Sequence, residues 1–338
     1  MPTPLMSPVS ATMMALRAHA RGGPEVLVYE PAPVPTPAPD EVVVEVHAAA
    51  ITFAELSWTE TWQRDGHDRT PIVPSHEVSG VVATVGDNVT TLEVGHEVYG
   101  LIRFDRDGAA ADYVAVPAAD LARKPATVSH TVAAAVPLAA LTAWQAWYDH
   151  AALRSGERVL VHGGAGGVGA FAVQLARAGG ADVTATARGT DLALVQRLGA
   201  ERVIDYESGS WSTEGPVYDV VLDTVGGRTL HESFTVLRRG GRLITLQAPP
   251  SPERALYFDV QATFFDVSPD PDQLAQLAGL ASPYTLVDGL QVWLFDVAPS
   301  TPAPPTGATG VLFAVTALAV VAGSVAAMLA RYRKAAAV

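Results

Sequence analysis

The sequence predicts an α/β protein: a β-rich unit, a doubly wound parallel sheet, and an apolar helix at the C-terminus. Three observations carry that expectation. Short β-rich runs separated by turn residues fill 14–130, strand and helix patterns alternate over 155–267, and 310–330 contains no charged residue. A chain of 338 residues exceeds one ordinary compact domain, and its 49% hydrophobic content can fill two cores.

Taken in order, residues 1–12 are polar and interrupted by proline, with no apolar stretch for a signal peptide. Residues 1–13 are therefore expected to be a disordered leader. The runs 41–46, 80–85, 97–101 and 113–116, with Gly86-Asp87-Asn88 as a turn, have the spacing of an all-β barrel-like unit. Residues 131–153 read as helical, with Pro137 dividing them. The segments 158–162, 168–178, 182–187, 192–198, 202–205, 218–223, 228–237 and 242–247 then alternate strand with helix, the rhythm of βαβ units. No internal repeat is present.

Composition excludes several functions. A net charge of −13 without a basic stripe argues against nucleic acid as a partner. The absence of cysteine rules out disulfides, Cys-ligated zinc and thiol catalysis together.

The most informative stretch follows the strand at 158–162. Gly164-x-Gly166-x-x-Gly169 leads into a helical pattern (Val168, Phe171, Ala172, Leu175, Ala176), and a second strand follows. In a dinucleotide site Gly164 permits the tight turn, Gly166 lets the backbone approach a pyrophosphate, and Gly169 lets the helix pack on the strand. The helix start at Gly167 and Val168 then offers free N–H groups to phosphate. A Gly-rich turn is the alternative, and the strand–helix–strand context argues against it. At the end of the second strand an NAD site usually carries an acid, whereas this chain has Ala187 and Arg188. A fixed cation suits a 2′-phosphate, so NADP is expected; a solvated surface arginine is the alternative. Asp191 is expected to cap the helix beginning near Leu192.

These pieces resemble a known family. Pro74-Ser-His-Glu-Val-Ser-Gly80, Leu141-Thr-Ala143, the glycine loop, Gly199-Ala-Glu-Arg-Val-Ile-Asp-Tyr206, Asp219-Val-Val-Leu-Asp-Thr-Val-Gly-Gly227 and Gly240-Gly-Arg-Leu-Ile244 are similar to medium-chain dehydrogenase/reductases of the zinc-independent quinone oxidoreductase branch. The resemblance implies a GroES-like β-barrel catalytic domain (14–135) and a Rossmann NADP-binding domain (136–281), with the nicotinamide between them. It implies NADPH-dependent reduction of a quinone or enone, and a homodimer through edge strands of the Rossmann sheets. Carried onto this chain, it puts Tyr206 at the 2′-phosphate and Thr142, Thr224 and Gly226 beside the cofactor. Many relatives have lysine where this chain has Asp191, so phosphate recognition rests on Arg188 and Tyr206.

In the zinc branch of that superfamily the histidine matching His76 is a ligand. The matching cysteine position here reads Thr52, so one imidazole has no thiolate to complete a tetrahedral site and no metal is expected. His76 is read as a hydrogen-bonded structural residue or a proton relay. Reduction of an enone still needs a proton donor or a hydrogen bond to the developing charge. Thr52 and Glu55 stand where related reductases have Asn and Asp, and are the candidate catalytic residues with Thr142. Trp58 and Trp62 read either as an aromatic wall for a flat substrate or as a helical core pair.

After Ala281 the family pattern ends. Residues 282–309 form an atypical segment with a Pro-rich linker, 310–330 are long enough for a transmembrane helix, and 331–338 form a basic tail. The tail is similar to the last helix of a membrane permease, which points to a fusion or frameshift near residue 281. The leading expectation is thus a cytoplasmic reductase, anchored or joined to a membrane helix. The alternatives are a catalytically impaired cofactor-binding fusion and a membrane-anchored interaction protein.

Overall fold

The computed structural model describes residues 11–52, 55–209, 211–280 and 312–315. Strands β1 (Thr12–Ala18) and β2 (Leu27–Pro33) form an antiparallel pair. Isolated bridges at Ala15 with Ala111 and Ala18 with Ile72 tie β1 to the barrel. The barrel is built on β3 (Glu41–Ile51). Helix α1 (Thr59–Trp62) and the short strands β4 (Gln63–Arg64) and β5 (His67–Asp68) follow. After them come β6 (Glu77–Val85), β7 (Glu97–Leu101), β8 (Tyr113–Pro117) and β9 (Leu121–Arg123). β3, β6, β7 and β9 pair in that order, and β8 lies on the other edge of β3. Val42, Val44 and Val46 alternate along β3, so they meet Val78, Val82, Val98 and Val114 in one core.

Two helices lead to the second unit, α2 (His130–Ala134) and α3 (Pro137–Trp144). Pro137 opens α3, where its missing N–H costs nothing. The chain continues in wider π turns through Gln145–His150. Next come β10 (Arg158–His162), α4 (Gly167–Ala178), β11 (Asp182–Ala187), α5 (Leu192–Arg197), β12 (Arg202–Asp205) and β13 (Tyr218–Asp223). α6 (Gly227–Ser233), β14 (Leu237–Thr245), α7 (Pro252–Phe258), β15 (Gln261–Phe264) and α8 (Pro271–Leu280) complete it. The strands are parallel in the order β12-β11-β10-β13-β14-β15. Helices cover both faces, which is why Val159, Leu160, Val161, Val220, Val221 and Leu222 are all buried rather than alternating.

The helix expected over 228–237 stops at Ser233. Both the N–H and the hydroxyl of Thr235 bond the Glu232 carbonyl and close it. The Val236 carbonyl then accepts from Val217 and Tyr218 and starts the next strand. The leader is shorter than expected, since Thr12 and Met13 already belong to β1; residues 1–10 lie outside the described residues.

A larger correction concerns the C-terminus. Four residues of the expected membrane helix form β16 (Leu312–Val315), parallel to residues 48–51 of β3. The physical reason is an open edge. β8 pairs β3 only from Glu41 to Glu45, so the last residues of β3 would leave backbone groups unpaired. The barrel is therefore not left without a closing strand. The rest of 281–311 and 316–338, including the linker and basic tail, lies outside the described residues. Among the described residues no helix is long and apolar enough to cross a membrane.

Candidate functional site

The glycine loop joins β10 to α4. The tight turn falls one residue earlier than expected: Gly163, with φ +73°, adopts the left-handed conformation, and a side chain there would meet the Thr224 hydroxyl at 2.7 Å. Gly164 is constrained by packing instead, because a Cβ would lie 2.9 Å from Ala185 and 3.0 Å from Val195. At Gly169 a Cβ would come within 2.0 Å of the Gly163 carbonyl oxygen, so the helix packs directly on the loop. Gly166 caps α4, and a Cβ at Gly167 would meet open space. The first N–H groups of α4 lack intrahelical partners and have room before them.

Residues outside the motif brace this loop. Thr186 accepts from the Gly163 N–H at 3.1 Å and stands 3.3 Å from His162 Nδ1. The Thr224 hydroxyl donates to the His162 carbonyl at 2.7 Å. This bond crosses between β10 and β13, where the helices switch sides of the sheet. Asp223 accepts from the N–H groups of Val225 and Gly226 at 3.0 Å each and holds the Asp-Thr-Val-Gly-Gly turn. Burial raises its carboxyl above the ordinary range, against those hydrogen bonds. Thr224 thus acts on the loop's shape.

At the far end of the sheet Arg188 leaves β11 and its guanidinium lies beside Tyr206, which follows just after β12. The neighbouring Tyr206 hydroxyl, with the charge of Glu207, holds the guanidinium above its ordinary pKa. The structure therefore brings together the two residues assigned to the 2′-phosphate. Asp191 occupies the N-cap of α5, yet its side chain makes no capping bond.

Between the barrel and the parallel sheet lies a cavity of about 330 Å³, lined by Leu101, Ile102, Arg103 and Phe104 on one side and Val267, Ser268 and Pro269 on the other. Two buried side chains tie the segments on either side of it together. Tyr99 donates its hydroxyl to the Leu274 carbonyl at 2.8 Å. Gln145 donates to the Ser268 carbonyl at 2.8 Å and accepts from the Ser268 N–H at 3.1 Å. Neither was legible in the sequence, since both are ordinary polar residues in apolar runs. Trp58 and Trp62 separate: Trp58 packs edge-on against Phe104 at 4.9 Å, whereas Trp62 is buried with Ala18 and Ile72. Phe104 lines the cavity and Trp58 packs on it, whereas Trp62 is core.

Behind that wall sit three buried titratable groups. His76 packs edge-on against Phe104 at 5.2 Å, and neither ring nitrogen has a hydrogen-bond partner. The expected hydrogen-bonded histidine is thus an orphaned one, and burial pushes its pKa down to about 4, leaving it neutral. Glu55 accepts the Ser75 N–H with both carboxyl oxygens at 3.2 Å. Burial, reinforced by Glu77, pushes it up to about 8. Glu77 accepts the Leu138 N–H at 2.9 Å, and burial pushes it likewise up to about 8. Burial thus shifts both carboxyls toward the protonated form at neutral pH. Thr142, one turn along α3, donates its hydroxyl to the Leu138 carbonyl at 2.6 Å, and Thr52 gives its carbonyl to the Glu55 N–H.

Two family models match the chain: the alcohol dehydrogenase GroES-like domain over residues 38–126 and zinc-binding dehydrogenase over residues 167–267. A probable zinc-binding oxidoreductase, mitochondrial, from Arthroderma benhamiae is 34% identical, over 73% of this chain and 80% of that protein. The NADPH-dependent alkenal/one oxidoreductase, chloroplastic, of Arabidopsis thaliana is 34% identical over 68% of this chain, which spans 61% of its length. The solved quinone oxidoreductase from Coxiella burnetii superposes with a TM-score of 0.73 at 29% identity, covering 80% of this chain and 87% of that one. A solved NAD-dependent alcohol dehydrogenase gives 0.70 at 31% identity, covering 79% of this chain and 88% of that one. Zinc does not fit the donors present here. With Thr52 in the thiolate position, His76 offers the lone imidazole, and no group of three metal-binding side chains exists among the described residues.

Proposed function

The chain belongs to the medium-chain dehydrogenase/reductase superfamily, and on that premise we propose an NADPH-dependent, zinc-free reductase of quinones or α,β-unsaturated carbonyls. The observation that carries the reading is the alignment of the cofactor features at the carboxyl ends of the parallel strands: the open start of α4 and the Arg188–Tyr206 pair. When bound, the nicotinamide supplies a hydride to the substrate.

The chain's own residues do the rest. Gly164, Gly166 and Gly169 shape the loop, and the N–H groups at Gly167 and Val168 bind the pyrophosphate. Arg188 and Tyr206 take the 2′-phosphate. Thr142, Thr224 and Gly226 orient the nicotinamide end. Phe104, backed by Trp58, gives the cavity an apolar surface that suits a flat, weakly polar substrate. Glu55 holds a proton at its carboxyl at neutral pH, and the Thr52 hydroxyl offers a hydrogen bond to the substrate oxygen. Pairing of two chains along the outer edge of β15, unpaired among the described residues, belongs to the same reading; Leu256 and Tyr257 on the adjacent α7 are 84% and 81% exposed. An impaired module is not favoured, because residues 312–315 pair with β3 and cover the edge that the loss of the family pattern after Ala281 would have left open.

The test is oxidation of NADPH by the purified full chain with a panel of quinones and enones, with and without a strong chelator. Turnover that survives the chelator is expected. Cofactor binding without oxidation of any substrate in the panel would refute the reductase reading.

A further inference from the structure

We propose that Glu207 sets how strongly this chain prefers a 2′-phosphorylated cofactor, by competing with that phosphate for Arg188; the inference rests on the nicotinamide-cofactor reading above. Relatives do not decide the matter, since their names include both an NADPH-dependent and an NAD-dependent enzyme.

Glu207 Oε1 lies 3.3 Å from Arg188 Nε. The contact lacks the geometry of a hydrogen bond, and that N–H has no hydrogen-bond partner. The pair is therefore an ionic contact rather than a directed hydrogen bond; Nε itself is buried, and the exposed remainder of the guanidinium is what an incoming anion would meet. Glu207 is kept at this position by its backbone. Asp205 accepts the Glu207 N–H at 3.0 Å and the Ser208 hydroxyl at 2.8 Å, and its carbonyl accepts the Gly209 N–H at 2.8 Å. The turn is thus fixed through its backbone, while among the described residues the Glu207 carboxylate itself makes only the ionic contact with Arg188. Side-chain exposures of 42% for Arg188 and 54% for Glu207 mean that water screens the pair, so an incoming anion can displace the carboxylate. Asp191 adds a second negative charge near the same guanidinium.

The chemistry follows from charge and donor type. A phosphate monoester carries roughly −1.5 to −2 charges at neutral pH and offers only acceptors. It gains from Arg188 and is repelled by Glu207. A free ribose 2′-hydroxyl is a donor, and a carboxylate at this end of the sheet is the group that accepts it in NAD sites. One guanidinium thus serves the phosphate and one carboxylate serves the hydroxyl. The chain accepts both cofactors, with Glu207 holding the balance.

The test is Glu207→Gln in the full chain, with dissociation constants for NADPH and NADH measured by nicotinamide fluorescence at low and high salt. Removing the charge while keeping the shape should tighten NADPH about three- to tenfold, without tightening NADH, and the gain should shrink at high salt. A loosened turn would change both affinities alike, so the ratio separates competition from a structural effect. An unchanged NADPH-to-NADH ratio would overturn the inference and leave the cofactor reading intact. Failure of the wild-type chain to bind either nucleotide would overturn both.

Discussion

Replacing Glu55 with Gln tests whether a buried neutral acid stands behind the substrate wall. Glu55 is 1% exposed and accepts the Ser75 N–H with both oxygens, and its pKa rises from 4.5 to about 8. A carboxyl whose folded pKa is raised binds its proton more tightly in the native state. Its stabilising contribution is therefore complete below pH 4.5 and is lost as pH rises towards 8. At about 1.4 kcal/mol per pH unit, the full loss is roughly 5 kcal/mol. Relaxation around the ionised group reduces that figure, so about 2–5 kcal/mol is expected. The assay is urea unfolding of wild type and Glu55→Gln at several pH values from 5 to 9. The wild type should lose stability steadily over that range. The variant should lose less, by the contribution of one group, while Glu77 continues to titrate. If the two proteins show parallel stability–pH curves, Glu55 is already ionised in the native state and cannot be the neutral proton holder. The same variant should lower turnover by about 10²- to 10⁴-fold, the usual range for a general acid, with cofactor affinity unchanged.

Other outcomes follow from the same geometry. Gly169→Ala should push α4 off the loop, since its Cβ would stand 2.0 Å from the Gly163 carbonyl oxygen; a loss of roughly 1–3 kcal/mol is expected in unfolding experiments, with weaker NADPH binding. Arg188→Ala should weaken NADPH by about 1.5–3 kcal/mol, the value of a charge-assisted bond, and NADH much less; calorimetric titration with each nucleotide decides it, and equal losses would remove Arg188 from the phosphate site. Ending the chain at residue 281 deletes β16 and exposes the edge of β3 at residues 48–51, so the shortened protein should aggregate more readily than the full chain in light scattering; equal behaviour would show that β16 does not protect that edge.

The fold was largely legible because its signals are local. The strand at 158–162, the glycine spacing and the apolar run of α4 lie within about twenty residues, and each reports backbone geometry directly. Turn chemistry was less secure. The positive φ falls on Gly163 rather than Gly164, because two adjacent glycines offer the chain the same freedom and only packing against Ala185, Val195 and Thr224 chooses between them. The apolar run from residue 310 shows the limit most clearly. Its composition satisfies a lipid-facing helix, yet four of its residues pair with β3, whose edge needs backbone partners from a distant part of the chain.

What the sequence determined by itself was the class of the protein: two units, a dinucleotide loop, a cation in place of an acid after the second strand, and no thiol for zinc. Those follow from spacing and residue type. Only the tertiary structure decided which tryptophan packs on Phe104, that His76 is left without a partner, that burial raises Glu55 and Glu77, and that Glu207 stands against Arg188. The physical reason is that burial, like-charge proximity and competition for a cation are properties of residues brought together by the fold. His76 and Phe104 are 28 positions apart in the chain and 5.2 Å apart in space, and no local pattern encodes that distance.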